Sequence, residues 1–199
     1  MKELKRLANG APERAASAAS VFVARAGQDG SVDVALGDLD SPIGRLTVAV
    51  TPRGLARVIF ESEDRDGALQ DLAERLSPRV LEAPEVTDAA RRQLEAYFVG
   101  TLRRFDLALD RRLMSRFVGE VMRRTERVGF GEMSTYGQIA RDLGRPTASR
   151  AVGAALGANP IPIVLPCHRI VGANGRLTGY AGGLDRKEFL LRLEGSLAV

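Results

Sequence analysis

Residues 131–160 read GEMSTYGQIARDLGRPTASRAVGAALGANP, and this stretch decides the architecture. Ser134 or Thr135 can cap a helix whose apolar side carries Ile139, Ala140 and Leu143 and which ends at Gly144. A second helix follows, with Thr147 as its expected cap and Asn159-Pro160 as its stop. Two short helices joined by GRPT make a helix-turn-helix. The second is built largely of small residues, at Ala151, Gly153, Ala154, Ala155 and Gly157. Such residues suit tight helix–helix packing. They equally let a slim helix lie close to a nucleic-acid groove, with Arg150 projecting from its first turn.

Upstream, SRFVGEVMRRTERVG is an amphipathic helix with Phe117, Val121 and Met122 inward and Arg116, Arg123, Arg124 and Arg127 elsewhere. Before Asp110 the character differs. GRLTVAVTPRGLARVIF alternates around Leu46, Val48 and Val50, breaks at TPRG and resumes at Leu55, Val58 and Phe60, which predicts a hairpin. DGALQDLAERLS and EVTDAARRQLEAYFVG have helical spacing, the second stopping at Gly100, and LRRFDLALD alternates as a further strand. The first three dozen residues suggest a short basic, Ala-rich helix or loose tail. The chain therefore predicts an α+β protein of two domains: an extension over 1–36, a small sheet-plus-helix domain over 37–110, and a mostly helical domain over 111–199.

A chain of 199 residues is long enough to bury a real core, and its 45% hydrophobic and 27% charged residues are those of a globular protein. The formal charge of +4 is compatible with an anionic partner without specifying one. The start, MKELKRLANGAPERAAS, lacks the apolar stretch of a signal peptide, and no apolar run approaches the roughly 20 residues that cross a bilayer. One cysteine cannot form an internal disulfide and suits a reducing compartment, so the expectation is a cytoplasmic protein.

That one cysteine, Cys167, sits beside the one histidine, His168, in IPIVLPCHRIVG. Cys167 ends the apolar run Ile161–Leu165, read as a buried strand, and Pro166 forbids regular ladder pairing just before it. The thiol is thus expected at a strand-to-turn junction. A free thiol is only a few per cent ionised at neutral pH, so a nucleophilic role needs a base, and the base an orienting carboxylate. Asp185, Glu188 and Glu194 in LDRKEFLLRLEG are not distinguishable by spacing. One Cys and one His are too few for a zinc sphere, so no metal is expected. VGANGRLTGYAGG lacks the spaced G-K-S/T of a phosphate loop; it is either a surface loop or a flap that closes on a ligand with Tyr180.

IPIVLPCHRIVGANGRLTGYAGG resembles the active-site segment of the O6-alkylguanine-DNA alkyltransferases, and YGQIARDLGRPTASRAVGAALGANPIP is similar to that family's helix-turn-helix and Asn hinge. The likeness is good from about Val128 to Gly195 and weaker in DSPIGRLTVAVTPRGLARVIF and YFVGTLRRFDLALD, which resemble the family's ribonuclease-H-like N-terminal domain. The resemblance implies irreversible, single-turnover transfer of an alkyl group from O6-alkylguanine, and O4-alkylthymine, in a flipped-out base of duplex DNA to Cys167. It implies His168 as the base acting through a water, Glu188 as its orienter and Asn159 as the hinge that braces the turn. Tyr136 would donate a proton to the leaving purine and help rotate the nucleotide. Arg150 would fill the vacated stack, with Thr147, Ala148, Ser149 and Ala151 around it on the DNA-binding helix. Tyr180, the Ala181 backbone and the carbonyls of Cys167 and Ile170 would hold the base. No cofactor is implied; the partner is double-stranded DNA carrying the lesion, met by a monomer with possible cooperativity along the duplex.

The sequence departs from the family pattern in places. Ala181 stands where some relatives carry a serine, Gly157 where some carry an arginine, and SRFVGEVM replaces a Phe-Gln-containing helix start. Two other readings compete: a helix-turn-helix protein that binds alkylated DNA without repairing it, and a cysteine hydrolase acting on a small substrate.

Overall fold

A computed structural model describes residues 32–197; the suggested N-terminal helix or tail falls, up to residue 31, outside the described residues. β1 (Val34–Leu39), β2 (Leu46–Thr51) and β3 (Gly54–Phe60) form an antiparallel meander, and β4 (Val80–Glu82) joins β1 in parallel, giving the order β3-β2-β1-β4. The hairpin around TPRG is there as expected. β1 and β4 escaped the sequence reading: VALGDL carries a Gly and an Asp within its run, and β4 spans only three residues. β1 also begins three residues ahead of the expected domain start at 37.

Period-two alternation sends the strands' side chains to two covered faces. Leu46, Val48, Leu55, Val58 and Phe60 pack with Ala90, Leu94 and Tyr97 of α2 (Pro84–Phe98), whereas Val34, Leu36, Ala49 and Ala56 meet Leu72 of α1 (Arg65–Arg75). Each fully buried Leu of this kind contributes about 1.5–3 kcal/mol. α2 lies so close to β1 that a Cβ on Gly37 would stand 2.1 Å from Thr87 Oγ1.

LRRFDLALD is not a strand. It touches the sheet at one bridge, Leu55 with Leu109, where Leu55 N–H donates to Ala108 O (2.9 Å) and Asp110 N–H to Leu55 O (2.9 Å). The edge of β3 is free for no more than this, because Val58 N–H further along donates to Pro160 O (2.9 Å). Gly54 permits the approach: it sits at φ 119°, and a Cβ there would collide with Ala108 O at 2.1 Å.

The second half holds α3 (Arg116–Thr125), α4 (Tyr136–Asp142), α5 (Ser149–Gly157) and α6 (Leu184–Leu193). Ser115 caps α3 and Thr135 caps α4, whose Gln138 N–H donates to Thr135 Oγ1 (3.1 Å). Thr147 does not cap α5. A turn closed by Ala148 N–H to Arg145 O (2.9 Å) shifts the start by one residue, leaving Ala148 at the cap position with no side-chain bond. α4 and α5 pack through Ile139, Ala140, Val152, Ala155 and Leu156 as the expected helix-turn-helix, and this core is continuous with the first face of the sheet.

Ile161–Leu165 is likewise not a strand. Prolines at 160, 162 and 166 remove three ladder donors, and the chain closes on itself through Leu165 N–H to Ile161 O (2.9 Å). Ile163 is held at φ 73°, a left-handed conformation that costs a β-branched residue about 1–3 kcal/mol. A short 3-10 turn, Cys167–Arg169, follows, and then β6 (Ile170–Val171), which pairs in parallel with β5 (Ser134–Thr135). That register, Ser134 against Ile170 and Thr135 against Val171, sets Tyr136 beside the cysteine turn.

Candidate active site

Cys167 borders a cavity of about 540 Å³ whose other walls come from the helix-turn-helix (Tyr136, Ser149, Arg150, Gly153) and from the Gly-rich loop (Thr178, Tyr180, Ala181). The thiol is only 5% exposed. Burial pushes its pKa up, to about 11, against the opposing hydrogen bond from Asn159 and the charge of Lys187. Asn159 is wired for that contact. Its Nδ2 donates to Cys167 Sγ (3.1 Å) and to Leu165 O (3.0 Å), while its Oδ1 accepts from Ile161 N–H (3.0 Å). One side chain therefore both braces the proline-rich turn and supplies the sulfur with a donor.

His168 points the other way, into the protein. Nε2 lies 2.9 Å from Glu194 Oε1, and Nδ1, also buried, has no partner among the described residues. Burial lowers the imidazole pKa despite the carboxylate. The carboxylate that contacts the imidazole is Glu194, not the expected Glu188. Glu188 pairs with Arg192 one turn along α6 (2.6 Å) and is half exposed. Helical geometry explains the difference: Lys187, Leu190, Leu191 and Glu194 repeat at i, i+3, i+4 and i+7 and all face inward, whereas Glu188 turns outward. Burial works against Glu194's charge. Hydrogen bonds from His168 and from Arg169 Nε and Nη2 (2.8 and 2.9 Å) nonetheless hold its carboxyl at about 2. Tyr97 of α2 adds a fourth donor at 2.8 Å, so the sheet-bearing half reaches the His168–Glu194 pair directly.

Sequence reasoning also missed Lys187. Its Nζ is fully buried and donates to Ile170 O (2.6 Å) and Thr178 O (2.9 Å), fastening the Gly-rich loop to the cysteine turn. Burial lowers its pKa to about 8, with the nearby sulfur pulling the other way. The inward repeat with Leu190 and Leu191 was the signal that both Lys187 and Glu194 carried.

Tyr136 lines the cavity, and its hydroxyl donates to Thr178 O (2.9 Å). Tyr180 packs edge-on to Phe60, and its buried hydroxyl lacks a partner among the described residues; burial raises its pKa. Ala181 is exposed at the rim. Ile170 is not a lining residue; its carbonyl is engaged by Lys187. Arg150 is exposed at the mouth, Ser149 lines it, and Thr147 and Ala151 lie exposed on either side, with Ala148 half-buried. Among the described residues no three His, Cys, Asp or Glu side chains gather to hold a metal, and no helix is long and apolar enough to cross a membrane.

Fold and site together define a cysteine-centred protein in which a helix-turn-helix forms one wall of the cavity beside the sulfur. Residues 36–111 match the family model described as the ribonuclease-like domain of 6-O-methylguanine DNA methyltransferase, and residues 116–196 match its DNA-binding domain. A methylated-DNA–protein-cysteine methyltransferase of Methanosarcina acetivorans is 46% identical over 157 residues, 79% of this chain and 96% of its own. Its counterpart from Mycolicibacterium paratuberculosis is 44% identical over 156 residues, 78% of this chain and 89% of that one. The crystal structure of Mycobacterium tuberculosis OGT in complex with DNA superposes with a TM-score of 0.72 at 40% identity, covering 82% of this chain and 94% of that chain. An O6-methylguanine-DNA methyltransferase from Pyrococcus kodakaraensis gives 0.59 at 26%, covering 81% and 99%. The chain belongs to the methylated-DNA–protein-cysteine methyltransferase family.

Proposed function

We propose that this protein repairs DNA directly by taking an alkyl group from guanine O6, and from thymine O4, onto Cys167. The observation that carries the reading is that the sulfur and the second helix of the helix-turn-helix border one cavity. A base stacked in a duplex cannot reach Cys167, so the nucleotide swings out at a cost of a few kcal/mol. Arg150 at the cavity mouth fills the gap it leaves, and the small residues of α5 allow close approach to the minor groove.

The chemistry balances within named groups. His168 accepts the thiol proton through its free Nδ1 by way of a water, while Glu194 stabilises the imidazolium through Nε2. The thiolate attacks the alkyl carbon, an S–C bond forms, and the C–O6 bond breaks with its electron pair going to the purine. Tyr136 hands its proton to the ring, exchanging the Thr178 carbonyl for the base. Asn159 lowers the cost of the thiolate by donating to it. The product is a thioether with no route back, so each molecule acts once. A lone thiol supports a cytoplasmic setting, and the duplex is met by a monomer.

Mass spectrometry after incubation with a duplex containing O6-methylguanine tests this. One methyl group gained per protein, located on Cys167 and without turnover, is the expected outcome. Binding with no gain in mass, or repeated turnover, defeats it. Cys167→Ser abolishes transfer while duplex binding stays nearly intact.

A further inference from the structure

A second cavity, of about 600 Å³, lies where the 101–111 segment, the loop after α3 and the cysteine turn meet. It shares no lining residue with the first, yet the two lie back to back: Pro166 lines this one and Cys167 the other. Four guanidinium groups border it, from Arg103, Arg104, Arg111 and Arg169. Arg169 is occupied by Glu194 and by Val128 O (2.6 Å). Arg111 pairs with Glu126 through Nη2 (2.6 Å), but its Nη1 is buried without a partner among the described residues. Arg103 and Arg104 have no carboxylate partner among the described residues, and Arg103 stacks over the Phe130 ring at 5.6 Å. Phe105 and Leu107 continue the apolar wall.

Two unneutralised guanidiniums, Arg103 and Arg104, and the apolar side chains of Phe105 and Leu107 border one hollow, whose lining carboxylate, Glu126, is already paired with Arg111. Guanidinium groups match the tetrahedral oxygens of phosphate with paired hydrogen bonds, and the volume falls in the range of small-ligand sites, about 300–1,000 Å³. We propose that this cavity binds a phosphate monoester of mononucleotide size, its phosphate held by Arg103 and Arg104 and its ring set against Phe105 and Leu107. The source is a free nucleotide or the terminal phosphate of a nucleic-acid strand.

Calorimetric titration of the full chain with deoxyguanosine monophosphate, deoxyguanosine and inorganic phosphate tests the site. The nucleotide binds one to one, inorganic phosphate binds more weakly, and the unphosphorylated nucleoside does not bind. Arg103 and Arg104 are exposed, so Arg103→Ala with Arg104→Ala leaves the fold intact, checked by an unchanged melting temperature. That pair of changes weakens nucleotide binding about tenfold or more, while Arg150→Ala at the other cavity leaves it unchanged. A 5′-phosphorylated single strand that displaces the nucleotide identifies strand ends as the source; failure to displace it identifies free nucleotides. The proposal is overturned by absence of saturable binding, by equal binding of nucleoside and nucleotide, or by loss of binding in Arg150→Ala instead of the paired variant. None of these readouts involves alkyl transfer, so the test stands apart from the repair reading.

Discussion

Replacing Glu194 by Gln removes one negative charge and leaves its shape, and the consequences can be worked out from its partners. In the native protein the carboxylate accepts from Tyr97, His168 and two nitrogens of Arg169, all buried. The amide presents one acceptor oxygen and an NH₂ facing donors, which strands the Arg169 guanidinium. Breaking a buried ion pair this way costs about 3–5 kcal/mol, or on the order of 10 °C in melting temperature for a chain of this size. The deficit should itself depend on pH. Glu194 titrates at about 2, below its ordinary 4.5, so its ionisation stabilises the fold above pH 4.5 and that contribution is lost as pH falls through 2. The shift corresponds to about 3 kcal/mol, which the Gln variant does not have to lose. Melting curves of the two proteins from pH 7 to pH 2 should therefore converge in acid. At pH 7, transfer from an oligonucleotide should slow by about 10²–10⁴-fold, the usual contribution of a general base, because the imidazolium loses its counter-charge. Glu188→Gln is the internal control: its exposed i,i+4 pair is worth about 0.3–0.5 kcal/mol and its transfer rate should not change. A constant stability gap across pH, or a Glu188 variant as damaged as the Glu194 one, would refute the assignment.

Asn159→Ala removes the Sγ donor and should raise the thiol pKa further, visible as a slower reaction with a free benzylated guanine that levels off at a higher pH than in the native protein. Iodoacetamide should alkylate Cys167 far more slowly than an ordinary cysteine at pH 7, since a pKa of about 11 leaves about one thiolate in 10⁴, with the rate climbing tenfold per pH unit; a plateau near pH 8.5 would contradict it. Lys187→Met frees the Thr178 and Ile170 carbonyls and should loosen the 172–183 loop, seen as faster amide hydrogen exchange there beside slower transfer. Arg150→Ala should weaken capture of the lesion in a duplex while sparing the free benzylated base; equal losses on both would argue against the stacking role.

The parts legible in the sequence are those fixed by local rules. The TPRG hairpin, a cap at Ser134 or Thr135 and the helix-turn-helix all follow from turn chemistry and short-range periodicity. The errors fall where tertiary contact overrides pattern. LRRFDLALD alternates like a strand, yet β3 has only one residue of free edge to give it. Ile161–Leu165 is apolar like a strand, yet three prolines withhold the donors a ladder needs. The choice of Glu188 over Glu194 is instructive, because the discriminating information was present. Glu188 and Glu194 stand roughly a third of a revolution apart on α6, and the inward repeat of Leu190 and Leu191 is what separates the exposed carboxylate from the buried one. A buried lysine three residues before Leu190 looks like a solvent residue until the loop carbonyls it serves are in view.

The resting site is arranged to keep its nucleophile silent. The sulfur is buried and protonated, Tyr136 spends its proton on the Thr178 carbonyl, and the imidazole is held neutral by burial. In the reaction proposed above, entry of a purine between Tyr136 and the Gly-rich loop competes for the Tyr136 proton and offers the sulfur an electrophile. For a protein that reacts once, a thiol that ionises readily in the free state would be consumed by any soluble alkylating agent. On that proposal the barrier set by burial is part of the specificity, and the Asn159, His168 and Glu194 contacts are what would limit it to a cost the bound base can offset.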